Sequence, residues 1–331
     1  MFGEAQMRKT TGTSQRTAIS NTIALLVSVF SFSACASAQN VDSNHMAHHA
    51  DTGPASGIFA VSETQEWAKA RLAKSPRHQE WVKVKSGTRE VNSFVVYPES
   101  KSKATAVVVI HEINGMTDWV QSLTDQLAEA GYVAIAPDLL SGSGPGGGGT
   151  SAFTDRNAVG QAIRDLPPDQ VTGDLNAVAE YVAKLPAANG KVAVGGFCWG
   201  GSQTFRYATN NPKLKAAFVF YGSAPESKDE LARIEVPVYG FYAGNDARIN
   251  ATLPKTIELM KELGKVFDPV TYEGAGHGFM RAGEAPAPQG PDPDAEQKAV
   301  EASQKALTAY KANKKARDEA WVRWKTLLAK L

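Results

Sequence analysis

The chain has 331 residues, of which 43% are hydrophobic and 21% charged, and its formal net charge is +1. That balance is ordinary for a globular protein; it excludes a polyelectrolyte and gives no reason to expect a nucleic-acid partner. The length suits one large α/β domain or two smaller ones, and either would bury a sizeable core.

The first forty residues read as a targeting segment rather than as structure. Arg8, Lys9 and Arg16 give a basic start, "NTIALLVSVFSF" a short apolar core, and Ala36 and Ala38 the small residues of a cleavage site. Residues 1–38 are therefore expected to be an export signal, which makes the mature protein periplasmic or secreted. The apolar run is too short and serine-broken for a membrane span of about 20 residues, so no span is expected. "FSAC" leaves a second route open, a lipid anchor at Cys35. Residues 39–60 read as a flexible linker. His45, His48 and His49 cluster there, but without cysteine or carboxylate at ligand spacing, and no metal is expected.

Residues 61–331 read as one α/β domain. "SETQEWAKARLAKS" carries a Ser cap, an early Glu and helical spacing. "EWVKVKS" and "NSFVVYP" alternate around "GTRE" and predict a hairpin. Beyond it, "ATAVVVIHE", "YVAIAPD", "KVAVGGF", "KAAFVFYG", "VPVYGFYAG" and "VFDPVTY" are apolar runs of strand length, several continuous rather than alternating. Amphipathic stretches such as "TDWVQSLTDQLAEAG", "VTGDLNAVAEYVAKL" and "LPKTIELMKELG" separate them. Continuous apolar strands alternating with helices describe a mostly parallel sheet with helices on both faces.

Two segments depart from that rhythm. "SGSGPGGGGTSAF" (141–153) follows a strand end, where α/β proteins place ligand loops, and is too glycine-rich to hold one shape without contacts. Thr150 stands where a phosphate loop needs its lysine, which excludes that motif, and no cofactor is expected. "GEAPAPQGPDPDAEQ" is a proline-rich connector into a helical tail ending "ARDEAWVRWKTLLAKL". The apolar stripe of that tail is expected to dock on the sheet, with a partner-binding helix as the alternative.

The chemistry centres on "GFCWG". A strand precedes it and the helical "SQTFRYA" follows, the setting of a nucleophile elbow that would hold Cys198 strained and exposed above the sheet. A helix N-terminus there would favour thiolate over thiol. With Cys35 in the targeting segment, Cys198 is the only cysteine of the body, which excludes disulfide exchange and leaves two readings: a kept nucleophile or a small buried hydrophobe. Asp246 in "AGND" and His277 in "GAGHGF" each follow a strand, so nucleophile, acid and histidine occur in the chain order of an α/β-hydrolase triad. Cys198 would attack an acyl carbon, His277 would move the proton and Asp246 would orient the imidazole. The backbone N–H groups of Trp199 and Ile113 are the candidate oxyanion donors. Glu112 puts a carboxylate at the mouth of this site; it is either a surface acid or a gate that pairs with the cysteine or its proton until substrate arrives.

"HEI" with Glu112, "GFCWGG" with Cys198, "GND" with Asp246 and "GHGFMR" with His277 and Arg281 together resemble the dienelactone hydrolase family, from about residue 80 to the end of the chain. The resemblance implies an α/β-hydrolase fold and a metal-independent cysteine hydrolase that opens an enol-lactone, a carboxymethylenebutenolidase-like activity on a small-molecule lactone or ester. It also implies that Glu112 holds Cys198 inactive until an anionic substrate binds, and that Arg281 binds the substrate carboxylate. The sequence departs from the family where "PDLLSGSGPGGGG" lacks a second substrate-binding arginine; Arg156, further on, is a substitute or a helix-surface charge. The rival from another class is a non-catalytic binding or scaffold protein on the same fold.

Overall fold

The computed structural model describes residues 65–292 and 296–331. The expected export signal, the linker with His45, His48 and His49, Cys35 and the expected cap Ser62 lie outside the described residues. The first described helix, α1 (Glu66–Ala73), follows Gln65 and has no side-chain cap. Instead the Gln65 side chain accepts a hydrogen bond from the Trp119 N–H at 2.6 Å, in the first turn of α2 (Asp118–Glu129).

The predicted hairpin is β1 (Gln79–Ser86) and β2 (Arg89–Val96), paired antiparallel from Gln79↔Val96 to Ser86↔Arg89. It joins β3 (Ala104–Ile110), β4 (Val133–Pro137), β5 (Ala188–Phe197), β6 (Ala217–Phe220), β7 (Val238–Ala243) and β8 (Phe267–Tyr272) in one sheet of order β1-β2-β4-β3-β5-β6-β7-β8. Every neighbouring pair from β4 to β8 is parallel. The apolar continuity of β3 to β7 follows from burial on both faces, because parallel strands need crossover helices that cover the sheet. Within β3, Val108 and Ile110 point to one core and Val107 and Val109 to the other, the two-residue period of a strand.

One face carries α4 (Pro168–Ala183), α5 (Trp199–Ala208) and α8 (Leu253–Glu262), which bury Val178, Phe205 and Met260. The opposite face carries α2 and the tail helix α10 (Gln297–Leu328), which bury Trp119 and Trp324. The tail therefore docks on the sheet as its stripe predicts. Fully buried Trp324 meets the rings of Phe197, Phe218 and Phe220 at 5.9, 6.0 and 4.9 Å. Arg323 adds polar anchors, donating to the Gly240 and Asp268 carbonyls at 3.1 and 2.8 Å.

The indole of Trp324 fits only because residue 195 lacks a side chain: a Cβ there would come within 2.6 Å of its Cζ2. Gly195→Ala is accordingly expected to destabilise the protein by about 1–3 kcal/mol through overpacking, measured by urea unfolding. A cost below about 0.5 kcal/mol would mean that the indole is not seated there. No helix among the described residues is long and apolar enough to cross a membrane.

Candidate active site

The order of the sheet reverses between β3 and β5, and open α/β sheets collect their ligand-binding groups at the carboxyl ends of strands beside such a reversal. Glu112 follows β3, Cys198 follows β5, Tyr221 follows β6, Asp246 follows β7 and His277 follows β8.

Cys198 sits between β5 and α5 with φ 56° and ψ −118°, a backbone conformation costly for a residue with a side chain. The strain thus falls on the cysteine itself. Its flanking glycines serve another purpose. A Cβ at Gly196 would lie 2.2 Å from the Gly200 carbonyl oxygen, and one at Gly200 would lie 2.3 Å from that of His111. Their absence lets the start of α5 press against the ends of β3 and β5. The thiol is half-buried rather than entombed.

Asp246 and His277 meet although 31 residues apart: His277 Nδ1 lies 2.5 Å from Asp246 Oδ2. The other oxygen of Asp246 accepts the Ile249 N–H at 3.4 Å and caps α7 (Ala247–Asn250), so the carboxylate both closes a helix and holds the ring. Burial works against ionising Asp246, but the hydrogen bond and charge of His277 win and pull its pKa below the usual carboxylate value. Burial likewise disfavours a charged His277; the bond to Asp246 and the influence of Asp246 and Cys198 outweigh it and raise the ring to about 9. The imidazole is thus bonded to the carboxylate of Asp246 and feels Cys198 electrostatically.

A pKa raised from 6.5 to about 9 carries a stability signature. The imidazolium contributes in full below the unfolded value and its contribution fades as pH rises through about 9. Urea midpoints at about pH 6 and about pH 10 are expected to fall further for the parent than for His277→Gln. Equal falls would refute the charged ring.

Beside it lies a part-buried ion pair. Arg281 Nε donates to Glu112 Oε2 at 2.8 Å, and the Tyr221 hydroxyl donates to Oε1 at 3.3 Å. Among the described residues the hydrogen-bond partners of the Glu112 carboxylate are thus Arg281 and Tyr221, where the gate reading expected the thiol or its proton. The Glu112 charge raises the pKa of Arg281, and burial followed by the same charge pushes Tyr221 well above its ordinary value. Tyr221 escaped the sequence reading because "AFVFYG" looks like uninterrupted strand. It is fully buried, has φ 40° and sets its ring edge-on to His277 at 5.0 Å.

The two candidate oxyanion donors, Trp199 and Ile113, follow the carboxyl ends of β5 and β3. Trp199 opens α5, where an N–H has no intrahelical acceptor, and Ile113 follows Glu112 in the β3–α2 loop. The glycine-rich loop finds the contacts it needs at Asp138, whose carboxylate accepts the Thr150 N–H at 2.8 Å and the Thr150 hydroxyl at 2.7 Å. Thr150 Oγ1 in turn accepts the Met116 N–H at 3.1 Å, tying this loop to the β3–α2 loop. Arg156 is exposed as the first residue of α3 (Arg156–Arg164).

A profile described as "Dienelactone hydrolase family" matches residues 91–331. A Methylorubrum extorquens protein carrying the name "Putative carboxymethylenebutenolidase" is 31% identical over 210 residues, covering 60% of this chain and 71% of its own. A Yersinia pestis protein of the same name is 30% identical over 202 residues, covering 57% and 74%. Among solved structures, a dienelactone hydrolase-like promiscuous phosphotriesterase from metagenomic libraries superposes with a TM-score of 0.58 at 20% identity. That superposition covers 77% of this chain and 98% of the other, and it speaks for the fold.

Proposed function

Because the chain belongs to the dienelactone hydrolase family and is a hydrolase of that kind, we propose that it cleaves lactones or carboxylic esters through Cys198, His277 and Asp246. The observation that carries this reading is the convergence of His277 on Asp246 at 2.5 Å beside a cysteine held at φ 56°. A binding scaffold needs no such arrangement at three strand ends.

The reaction follows from the groups. The Cys198 sulfur adds to the substrate carbonyl carbon, and the carbonyl electron pair moves onto oxygen, where the N–H groups of Trp199 and Ile113 stabilise it. Collapse breaks the C–O bond and expels the alcohol or enol oxygen, which takes its proton from the imidazolium of His277. Neutral His277 then removes a proton from water as that water attacks the thioester, and the acid product leaves with the thiolate restored. Asp246 keeps the ring oriented and stabilises its charge through both halves.

Glu112 and Arg281 extend the proposal to substrate choice. A carboxylate on the substrate would compete with Glu112 for the Arg281 guanidinium, seat itself there and release the Glu112 side chain. That favours an anionic enol-lactone over a neutral ester. The same reading takes the protein to work after export, in the periplasm or outside the cell, with Cys35 either removed or lipidated; the intact mass of the exported form distinguishes these two.

Activity is tested on carboxylated dienelactones, simple lactones and aryl esters, alongside alkylation of Cys198 by iodoacetamide at neutral pH. Turnover of at least one class, with alkylation slowed by that substrate, is expected. Absence of turnover on every class, with alkylation unaffected by any of them, would overturn the proposal.

A further inference from the structure

We infer that His111 is a positioning residue for both backbone donors of the oxyanion pocket, holding the Glu112–Ile113 peptide by its carbonyl and the Trp199 side chain by stacking. The inference rests on the cysteine mechanism proposed above, and its test separates the two.

His111 is fully buried immediately after β3. Its Nδ1 lies 2.9 Å from the Glu112 carbonyl oxygen and its Nε2 lies 3.4 Å from the Leu139 amide nitrogen. A backbone N–H can only donate, so Nε2 accepts; the ring is therefore neutral and Nδ1 carries the proton given to Glu112. Burial lowers the pKa of the ring, against the nearby charges of Asp138 and Glu112, and keeps it in that form.

The carbonyl of Glu112 and the N–H of Ile113 belong to one planar trans peptide and point to opposite sides of it. A bond that fixes the oxygen fixes the direction of the N–H. Donation to that oxygen also polarises the peptide and strengthens the donor at its other end. The imidazole also stacks on the Trp199 ring, centroids 5.6 Å apart and planes 14° apart. Gly200 brings the two segments together, because only a residue without Cβ lets α5 abut the His111 and Ile110 carbonyls. One neutral ring thus holds the peptide that carries the Ile113 N–H and stacks on the residue that carries the other proposed donor, Trp199. A histidine that merely filled the core would spend its bonds there; this one spends both on loops of the site.

The test uses the full chain with three variants. His111→Phe keeps a ring to stack but removes the donor, His111→Leu removes both, and His111→Asn keeps an N–H in the Nδ1 position. Turnover of an aryl ester is read beside the alkylation of Cys198 by iodoacetamide, which displaces iodide and forms no oxyanion. His111→Phe and His111→Leu are expected to lose roughly 10- to 100-fold in kcat with KM little changed and alkylation within about twofold of the parent, less than loss of a whole oxyanion donor. His111→Asn is expected to recover at least about tenfold over His111→Leu, since its amide replaces the lost charge-neutral donor. A loss under about tenfold, alkylation that falls in step with turnover, no rescue by His111→Asn, or failure of both donor-less variants to fold would each overturn the inference. If instead Cys198→Ala keeps its turnover, it is the cysteine mechanism that fails.

Discussion

Exchange of Cys198 for alanine is expected to lower ester or lactone cleavage by about 10⁴-fold or more, leaving only the residual effect of the oxyanion donors and of binding. The size of the effect follows from the role: without sulfur no acyl-enzyme forms, and the His277–Asp246 pair has no nucleophile to serve. The same change should leave the fold intact. Alanine at φ 56° inherits the strain of cysteine without adding to it, and the half-buried thiol leaves little void. The measurements are kcat/KM on the best substrate of the screen and the urea midpoint. Turnover within tenfold of the parent, in a variant that unfolds where the parent does, would remove Cys198 from the chemistry.

Much of this architecture was legible in the residues. "ATAVVVIHE" and "KVAVGGF" read as buried parallel strands because both faces are covered, and the groups that could do chemistry stood where those runs end. The tail helix was legible for the same reason: its stripe of Ala316, Ala320, Trp324 and Leu328 follows a helical period and is buried. What escaped was pairing. Glu112 and Arg281 were each singled out, but nothing in a one-dimensional pattern joins residues 169 apart, so both were assigned partners other than each other. Tyr221 escaped because positive φ in a tyrosine has no compositional signal, unlike the same conformation in a glycine. Asp138 and His111 read as strand-end residues, whereas their work lies in loops that only the folded chain brings near them.

The ion pair so missed carries the second large effect. Glu112 and Arg281 have side chains only 6% and 29% exposed, and they meet at 2.8 Å. Arg281→Met fills similar space and leaves the carboxylate buried opposite nothing but the Tyr221 hydroxyl, which is expected to cost about 3–5 kcal/mol. Adding Glu112→Gln removes the stranded charge while keeping an acceptor for Tyr221, so the double variant should regain most of the loss. A double-mutant cycle by urea unfolding reads the coupling directly. Coupling below about 0.5 kcal/mol would mean that solvent already screens the pair and that Glu112 is held by something else. The same variants connect stability to substrate choice, because the cation that pins Glu112 is the one proposed to greet an anionic substrate. In Arg281→Met a carboxylated lactone should lose its advantage in kcat/KM over its neutral methyl ester by about 10- to 100-fold, the worth of one charge-assisted contact. An advantage that survives intact would separate Arg281 from the substrate and leave it as a purely internal partner of Glu112.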